Sequence, residues 1–288
     1  MLSLPPLLYT RDLTIMWQCP LCKYPLSLIS PTSQCENGHS FDMAKAGYVN
    51  LFPVQFKNSK NPGDDKAMVR ARREFHSKHG YLPLKQKMVA LLADNAPVSD
   101  VFRVYDAGCG EGSYLYHIVE GLNDKNINTS GAGSDIAKIA VELAAKAYKG
   151  LQFVVASSFD LPLQDATQHA VIQVFAPGDS KEYARVLEPD GLLITVDPAP
   201  RHLFELKALI YDQPQQHSVG VGERDGFSLL SDEALSYALT FDSREQVTDL
   251  VKMTPYYWKL PEGKIDSIIS SLKKVTVDFQ IRLYKRNA

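Results

Sequence analysis

Four residues near the start of this 288-residue chain have the types and spacing of a metal site: Cys19-x2-Cys22-x12-Cys35-x3-His39. A two-residue gap lets one tight turn offer both thiolates to a single ion. The second pair does the same after a short excursion, and four such ligands close a tetrahedron around Zn²⁺. Pro20 and Lys23-Tyr24-Pro25 favour a turn at the first pair, and Asn37-Gly38 sets another directly before His39. Three thiolates and an imidazole leave no position open for water. The predicted zinc is therefore structural, and a module this small depends on it to fold. A redox role for the CxxC pair lacks the βαβ pattern it needs. Catalysis is expected elsewhere.

A second constellation lies in FRVYDAGCGEGSYLYHIVEGL, where Asp106, Gly108, Gly110 and Gly112 spell DxGxGxG between a strand and a helix. Such glycines permit a sharp turn and close backbone approach by a ligand whose polar end meets the helix N-terminus. The dinucleotide fingerprint places its third glycine one residue later. The shorter spacing, with an acid ahead of it, favours S-adenosylmethionine (SAM), whose amino-acid portion lies across the turn. A second acid is needed at the end of the next strand for the ribose hydroxyls, and Asp135 stands there. Asp135 also suits a helix N-cap, and both roles are compatible. Cys109 within the turn reads as a small buried hydrophobe.

These residues need a frame. Strands are predicted at 151–157, 170–177 and 192–197, with helices at about 180–187 and 201–211, the latter turning Leu203, Leu206 and Ile210 inward. A long polar loop spans 212–226. ALSYALTF, a helix around 244–253 and the alternating VTVDFQIRLYKR follow, the last reading as an antiparallel strand. Alternating strands and helices imply a doubly wound parallel sheet. The predicted class is α/β: a Rossmann-like class I SAM-dependent methyltransferase, its seven-stranded sheet carrying one antiparallel strand, plus a small zinc module. Residues 1–15 are expected to be a disordered extension, 16–55 the zinc module, 56–95 a basic helical linker and 96–288 the methyltransferase domain. Ligands should gather at the strands' carboxyl ends, near Asp106–Gly112, Asp135, Ala156–Ser158 and Phe175–Pro177.

Net charge is −2, so the chain as a whole is no polyanion binder. Residues 42–90 differ: ten Lys and Arg stand against four acids there, Lys57 and Lys60 included, which suits local binding of a polyanion. No apolar run approaches the roughly 18 residues of a membrane span. Four cysteines in so long a chain, behind a poor signal peptide, point to a reducing cytosol.

CPLC, GHSFDMAKAGYVNLFPVQ and NPGDDKAMVRARREF, followed by VYDAGCGEG, VVASSFDLP and PAPRHLFELKALIY, resemble the bacterial 23S rRNA guanine-N1 methyltransferases, the rRNA large subunit methyltransferase A family. The resemblance runs over nearly the whole chain from Met16. It implies a cytoplasmic homodimer that methylates a guanine in a 23S rRNA hairpin. It implies zinc at Cys19, Cys22, Cys35 and His39. It also implies SAM contacts at the glycine loop (Asp106, Gly108, Cys109, Gly110, Glu111, Gly112), at Tyr81 and at His202, beside the Asp135 already read from its position. On residues alone, Tyr81 reads as a packing aromatic and His202 as a helix cap. The chain departs from the family pattern at Ala107, at GSD (133–135) and at Gln173 and Phe175 in IQVFAPG, positions that touch cofactor fit and base recognition.

No general base stands out, although Asp160 and Asp179 fall near the right sheet edge. Phe159 and Phe175 are candidates to stack on a flipped base. Arg70, Arg72 and Arg73 are expected to grip RNA without touching SAM. The alternative readings are a SAM-dependent methyltransferase acting on a small molecule or protein, with zinc purely structural, and a zinc-dependent RNA-binding protein with a degenerate fold.

Overall fold

A computed structural model describes residues 17–29, 31–56, 62–257, 260 and 263–288. The expectations for residues 1–15, Lys57 and Lys60 lie outside the described residues. The zinc module contributes five short strands: β1 (Trp17–Gln18), β2 (Pro25–Leu26), β3 (Thr32–Gln34), β4 (Ser40–Asp42) and β5 (Val49–Asn50). Helices α1 (Lys66–Ser77) and α2 (Leu82–Asn95) follow. The Asp65 carboxylate starts α1 by accepting from the amides of Ala67 (2.6 Å) and Met68 (3.1 Å).

The remaining elements alternate as the sequence leads one to expect: β6 (Phe102–Ala107), α3 (Ser113–Asn123), β7 (Thr129–Asp135), α4 (Lys138–Ala147), β8 (Gln152–Val155), β9 (Gln168–Val174), α5 (Ser180–Val186), β10 (Leu187–Pro198), α6 (Phe204–Ile210), β11 (Phe227–Thr240), α7 (Arg244–Lys252), α8 (Lys264–Ser271) and β12 (Lys274–Arg286). β11 begins seven residues before ALSYALTF. Its first half, FSLLSDE, lies at an exposed edge and lacks the alternation that marks a half-buried strand.

Among the described residues, eight strands form one sheet in the order β11-β12-β10-β9-β6-β7-β8-β5. β6, β7, β8, β9 and β10 run parallel, and β12 lies antiparallel between β10 and β11. Without β5 this is the seven-stranded class I methyltransferase plan. β5 adds an eighth strand, pairing parallel with β8 through Val49–Val154 and Asn50–Val155. Nothing in a two-residue strand signals that pairing from the sequence.

Both faces of the sheet are apolar. Phe102 and Val104 pack with helices α2 and α3 on one side, while Tyr105 and Ala107 face the other. On the second side the zinc module takes the place of a helix. Trp17 packs edge-on to Tyr105 (ring centroids 6.2 Å) and donates from its indole to Gln152 Oε1 at 2.6 Å. Cys19 and Leu26 join Tyr105, Val154, Val171 and Leu193 in the same core. The 66–95 segment is equally integrated, with α1 against α7 and α4, and α2 against α3.

Candidate active site and zinc centre

The metal cluster is assembled by two turns. In the first, the Cys19 amide donates to Tyr24 O (2.8 Å) and the Lys23 amide to Cys19 O (2.8 Å), with Lys23 at φ 63°. In the second, the Gly38 amide donates to Cys35 O (2.9 Å) and the Cys35 amide to His39 O (3.1 Å), with Gly38 at φ 78°. The turns leave Cys22 and Cys35 Sγ 3.7 Å apart, and His39 Nδ1 lies 3.6 Å from Cys19 Sγ and 3.5 Å from Cys35 Sγ. Ligands at Zn–S of about 2.3 Å and Zn–N of about 2.0–2.1 Å on a tetrahedron would be separated by about 3.8 Å (S to S) and about 3.6 Å (S to N). The four residues therefore fit zinc in edge length as well as chemistry.

At the carboxyl ends of β6, β7, β9 and β10 lies a cavity of about 760 Å³, within the range of small-molecule sites. The glycine turn forms its floor. Gly108, Gly110 and Gly112 have φ of 94°, 55° and 88°, the left-handed region that L side chains rarely enter. A Cβ on Gly108 would meet Ala176 Cβ at 2.5 Å. The turn is stitched to the end of β7: the amides of Gly108 and Cys109 donate to Ser134 O (2.9 and 2.8 Å) and the Gly110 amide to Asp135 Oδ2 (2.9 Å).

Asp135 lies where the sequence places it, but α4 starts three residues later. Its Oδ1 accepts the Ala137 amide at 2.8 Å, so the carboxylate caps the approach to the helix and not the helix itself. Burial raises its pKa, opposed by the two amides and by Arg72. Asp106 does not reach the cavity. It is buried beneath the turn with Oδ1 unpartnered, and burial, with Asp135 and Glu111 adding, pushes its pKa up to about 8. Gly112 also turns away, its Cβ position facing Ala144, Phe153 and Tyr148. Gly108, Cys109, Gly110, Glu111, Asp135, Tyr81 and His202 all line the cavity.

Tyr81 sits at φ 55° before α2, its ring edge-on to Phe75 (4.8 Å) and Phe279 (5.0 Å), with its buried hydroxyl unpartnered. Burial drives its pKa up, so it stays a protonated donor. His202 Nδ1 accepts the Asp278 amide (3.3 Å), which leaves Nε2–H as the ring's donor. Burial, then His217, pushes the His202 pKa down to about 3, so the ring is neutral. Glu111 Oε1 takes the Ser113 amide at 3.2 Å while Oε2 is buried and unpartnered. A cavity floored by backbone turns, walled by Asp64, Glu111, Asp135 and Asp197, and holding orphaned hydroxyl and carboxyl oxygens, suits a cation with a polar tail such as a sulfonium nucleoside.

Several expectations need correction. Arg72 belongs to the cavity wall, paired with Asp64 at 2.7 Å and facing Gly110. Charge reversal there would disturb the cofactor side, so Arg72 is no pure RNA contact. Arg73 is drawn inward to Leu143 O (3.3 Å). Lys85 is buried over the Tyr114 ring, its pKa lowered to about 8 by burial, while Lys78 and Lys87 pair with Asp249 and Glu233. Lys78 and Lys87 thus neutralise acids of the body, and Arg72, Arg73 and Lys85 are drawn inward. Asp160 binds Lys23 of the zinc module at 2.5 Å, and Asp179 caps α5 through the Lys181 amide (2.8 Å). Neither lines the cavity. Phe159 and Phe175 do stand at its mouth, 57% and 42% exposed. Asp197, His217 and His76 also line the cavity and carry no motif that sequence reasoning could have used.

Residues 17–60 match a family model, the zinc ribbon described as "RlmA, N-terminal". Full-length relatives extend the match. The 23S rRNA (guanine(748)-N(1))-methyltransferase of Streptomyces fradiae is 33% identical over 260 residues, covering 88% of this chain and 90% of the relative. YxjB of Bacillus subtilis (strain 168), provisionally named a 23S rRNA (guanine-N(1)-)-methyltransferase, is 30% identical over 276 residues, covering 92% and 95%. The chain belongs to the 23S rRNA (guanine-N1)-methyltransferase family. Membership accounts for the pairing of a zinc ribbon with a methyltransferase sheet, and it sets the glycine turn, Asp135 and the aromatic cavity mouth in one chemical context. Among the described residues no helix is long and apolar enough to cross a membrane.

Proposed function

We propose that this chain transfers the methyl group of SAM to N1 of a guanine in a 23S rRNA hairpin. The observation that carries the reading is the cavity, where the glycine turn, Asp135 and two exposed aromatics meet in a chain of this family. SAM, when bound, supplies an electrophilic methyl on a cationic sulfur. We assign the chain's residues as follows. Backbone carbonyls of the Gly108–Gly110 turn hold the ammonium of the amino-acid tail, Asp135 accepts from the ribose, and Tyr81 and His202 donate into the cavity. Phe159 and Phe175 exclude water around a base drawn out of its stack. Holding nucleophile and methyl in line supplies most of the acceleration.

The zinc ribbon and the exposed face of α1 engage the RNA, with phosphates supplying affinity and hairpin shape supplying selection. The protein works in the cytoplasm as a homodimer, which sedimentation of the zinc-loaded chain tests. The activity test is incubation with SAM and unmodified 23S rRNA, followed by reverse transcription. A methyl on guanine N1 blocks Watson–Crick pairing, so a new stop at one hairpin guanine is the expected result. SAM binding with no stop on naked or assembling rRNA would overturn the substrate assignment in favour of a small-molecule or protein acceptor.

A further inference from the structure

Guanine N1 carries a proton at neutral pH, and that proton must leave before or as N1 attacks. Asp160 and Asp179 are engaged outside the cavity. Phe175, Asp197, His202 and His217 also line the cavity, with the rings of Phe175 and His217 lying 5.8 and 6.1 Å from that of His202. His202 is committed as a donor, because its Nδ1 already accepts a backbone amide.

His217 has no such commitment at Nε2. It lies in the 211–226 loop, which is tied down at three points: Lys207 Nζ donates to Gln215 O (3.0 Å), the His217 amide to Pro200 O (3.3 Å) and Arg282 Nη2 to Gly220 O (2.7 Å). The His217 ring stands 6.1 Å from that of His202, whose backbone favours the protonated form of His217. Nε2 is buried and unpartnered. A neutral imidazole keeps its proton on one ring nitrogen and a lone pair on the other, and with no group beside Nε2 to take a proton from it, Nε2 is free to be the accepting nitrogen. The charged and titratable groups facing the ring are Lys207 and His202, with Asp197 on the same wall. Burial, then Lys207, holds the imidazole neutral at physiological pH, so the lone pair is available.

We propose that His217 Nε2 is the general base that takes the N1 proton of the target guanine; this rests on the methyl-transfer reading above. The N1–H bond breaks toward Nε2. The N1 electron pair forms the new N–C bond, and the C–S bond breaks with its electrons passing to sulfur, giving a neutral thioether and a transient imidazolium. The imidazolium then releases its proton to solvent.

The test is single-turnover methylation of 23S rRNA by the full-length zinc-loaded protein, comparing wild type, His217→Ala, His217→Gln and Asp197→Asn. Positioned bases contribute about 10²–10⁴-fold. Both His217 variants should lose at least about 100-fold in rate with SAM and RNA affinities unchanged, and added imidazole should restore part of the His217→Ala rate. His217 variants within about threefold of wild type, a loss that imidazole does not rescue, or the same loss in Asp197→Asn alone would overturn the assignment. Wild-type protein that binds SAM and RNA but methylates no guanine N1 would instead overturn the reading beneath it.

Discussion

Asp135 serves two ends with one carboxylate. It pins the Gly110 amide and the approach to α4, and it presents its remaining lone pairs to the cavity. Hydrogen bonds to charged groups contribute about 1.5–3 kcal/mol, so Asp135→Ala should weaken SAM binding by at least about tenfold in a calorimetric titration; unchanged affinity would remove it from the site. Asp106 predicts a pH effect. Its folded-state pKa of about 8 lies above its ordinary 3.8. Between those values the folded chain holds a proton that the unfolded chain gives up, so this group lowers stability as pH rises. Asp106→Asn should therefore gain melting temperature relative to wild type as pH is raised from 5 to 8, by about 2–4 °C per kcal/mol. A pH-independent difference would show that the carboxyl is not held protonated. On the RNA side, Lys66 and Arg70 on α1 remain exposed where Arg72 and Arg73 do not. Reversing both should weaken RNA binding, lower the salt slope by about 0.9 for each phosphate no longer neutralised and spare SAM affinity. At this scale the metal ligands and the glycine motif were legible, because their chemistry fixes their spacing. His217, His76 and Asp197 were not, because only the fold brings them together.

Among the elements, the turn between β6 and α3 is the most constrained. Three left-handed glycines follow one another at alternate positions, and the turn is held from below by Ser134 and Asp135 and from the side by Ala176. Gly108→Ala adds a Cβ at 2.5 Å from Ala176 Cβ and an unfavourable φ of 94°. The expected cost is about 1–3 kcal/mol of stability, with SAM binding lost because the turn and β9 must part; a variant with native affinity would refute this. The motif DxGxGxG is enough to place that turn in the chain, since each glycine answers a backbone need. β7 is harder to see. TSGAGSD has few β-formers, yet Thr129–Asp135 forms a central strand. A Cβ at Gly131 would press on Val119, Leu151 and Leu115, and one at Gly133 on Cys109. Close packing of α3 and of the turn overrides propensity there.

For the whole molecule, the zinc ribbon is part of the sheet it accompanies. The alternating pattern of β6–β10 announces a two-faced sheet but not what covers its second face, because Trp17 meets Tyr105 across 88 positions of sequence. The contacts are of three kinds. Trp17 and Leu26 fill the core, Gln18 donates to Pro162 O (3.0 Å) and Leu161 O (3.2 Å), and β5 extends the sheet while the Leu51 amide donates to Val155 O (2.9 Å). Val155 directly precedes Ala156–Ser158, which line the cavity, and Ser158 Oγ donates onward to Pro177 O at 2.6 Å. Two turns around four ligands cannot hold their shape once the ion is gone, since its bonds are what join them and the module has little core of its own. Removing zinc with a strong chelator should therefore do more than unfold the ribbon. It should expose Trp17 to solvent, lower the melting temperature of the entire chain by several degrees, and reduce SAM affinity several-fold through the loosened end of β8. Tryptophan fluorescence, melting curves and SAM titration before and after chelation read these three effects. Zn²⁺ should reverse them and Mg²⁺ should not, because a hard oxygen-seeking ion does not replace zinc on three thiolates. A metal-free protein with native SAM affinity and an unchanged melting temperature would show that the ribbon is an independent appendage, and the eighth strand would then carry no link between the metal and the active site.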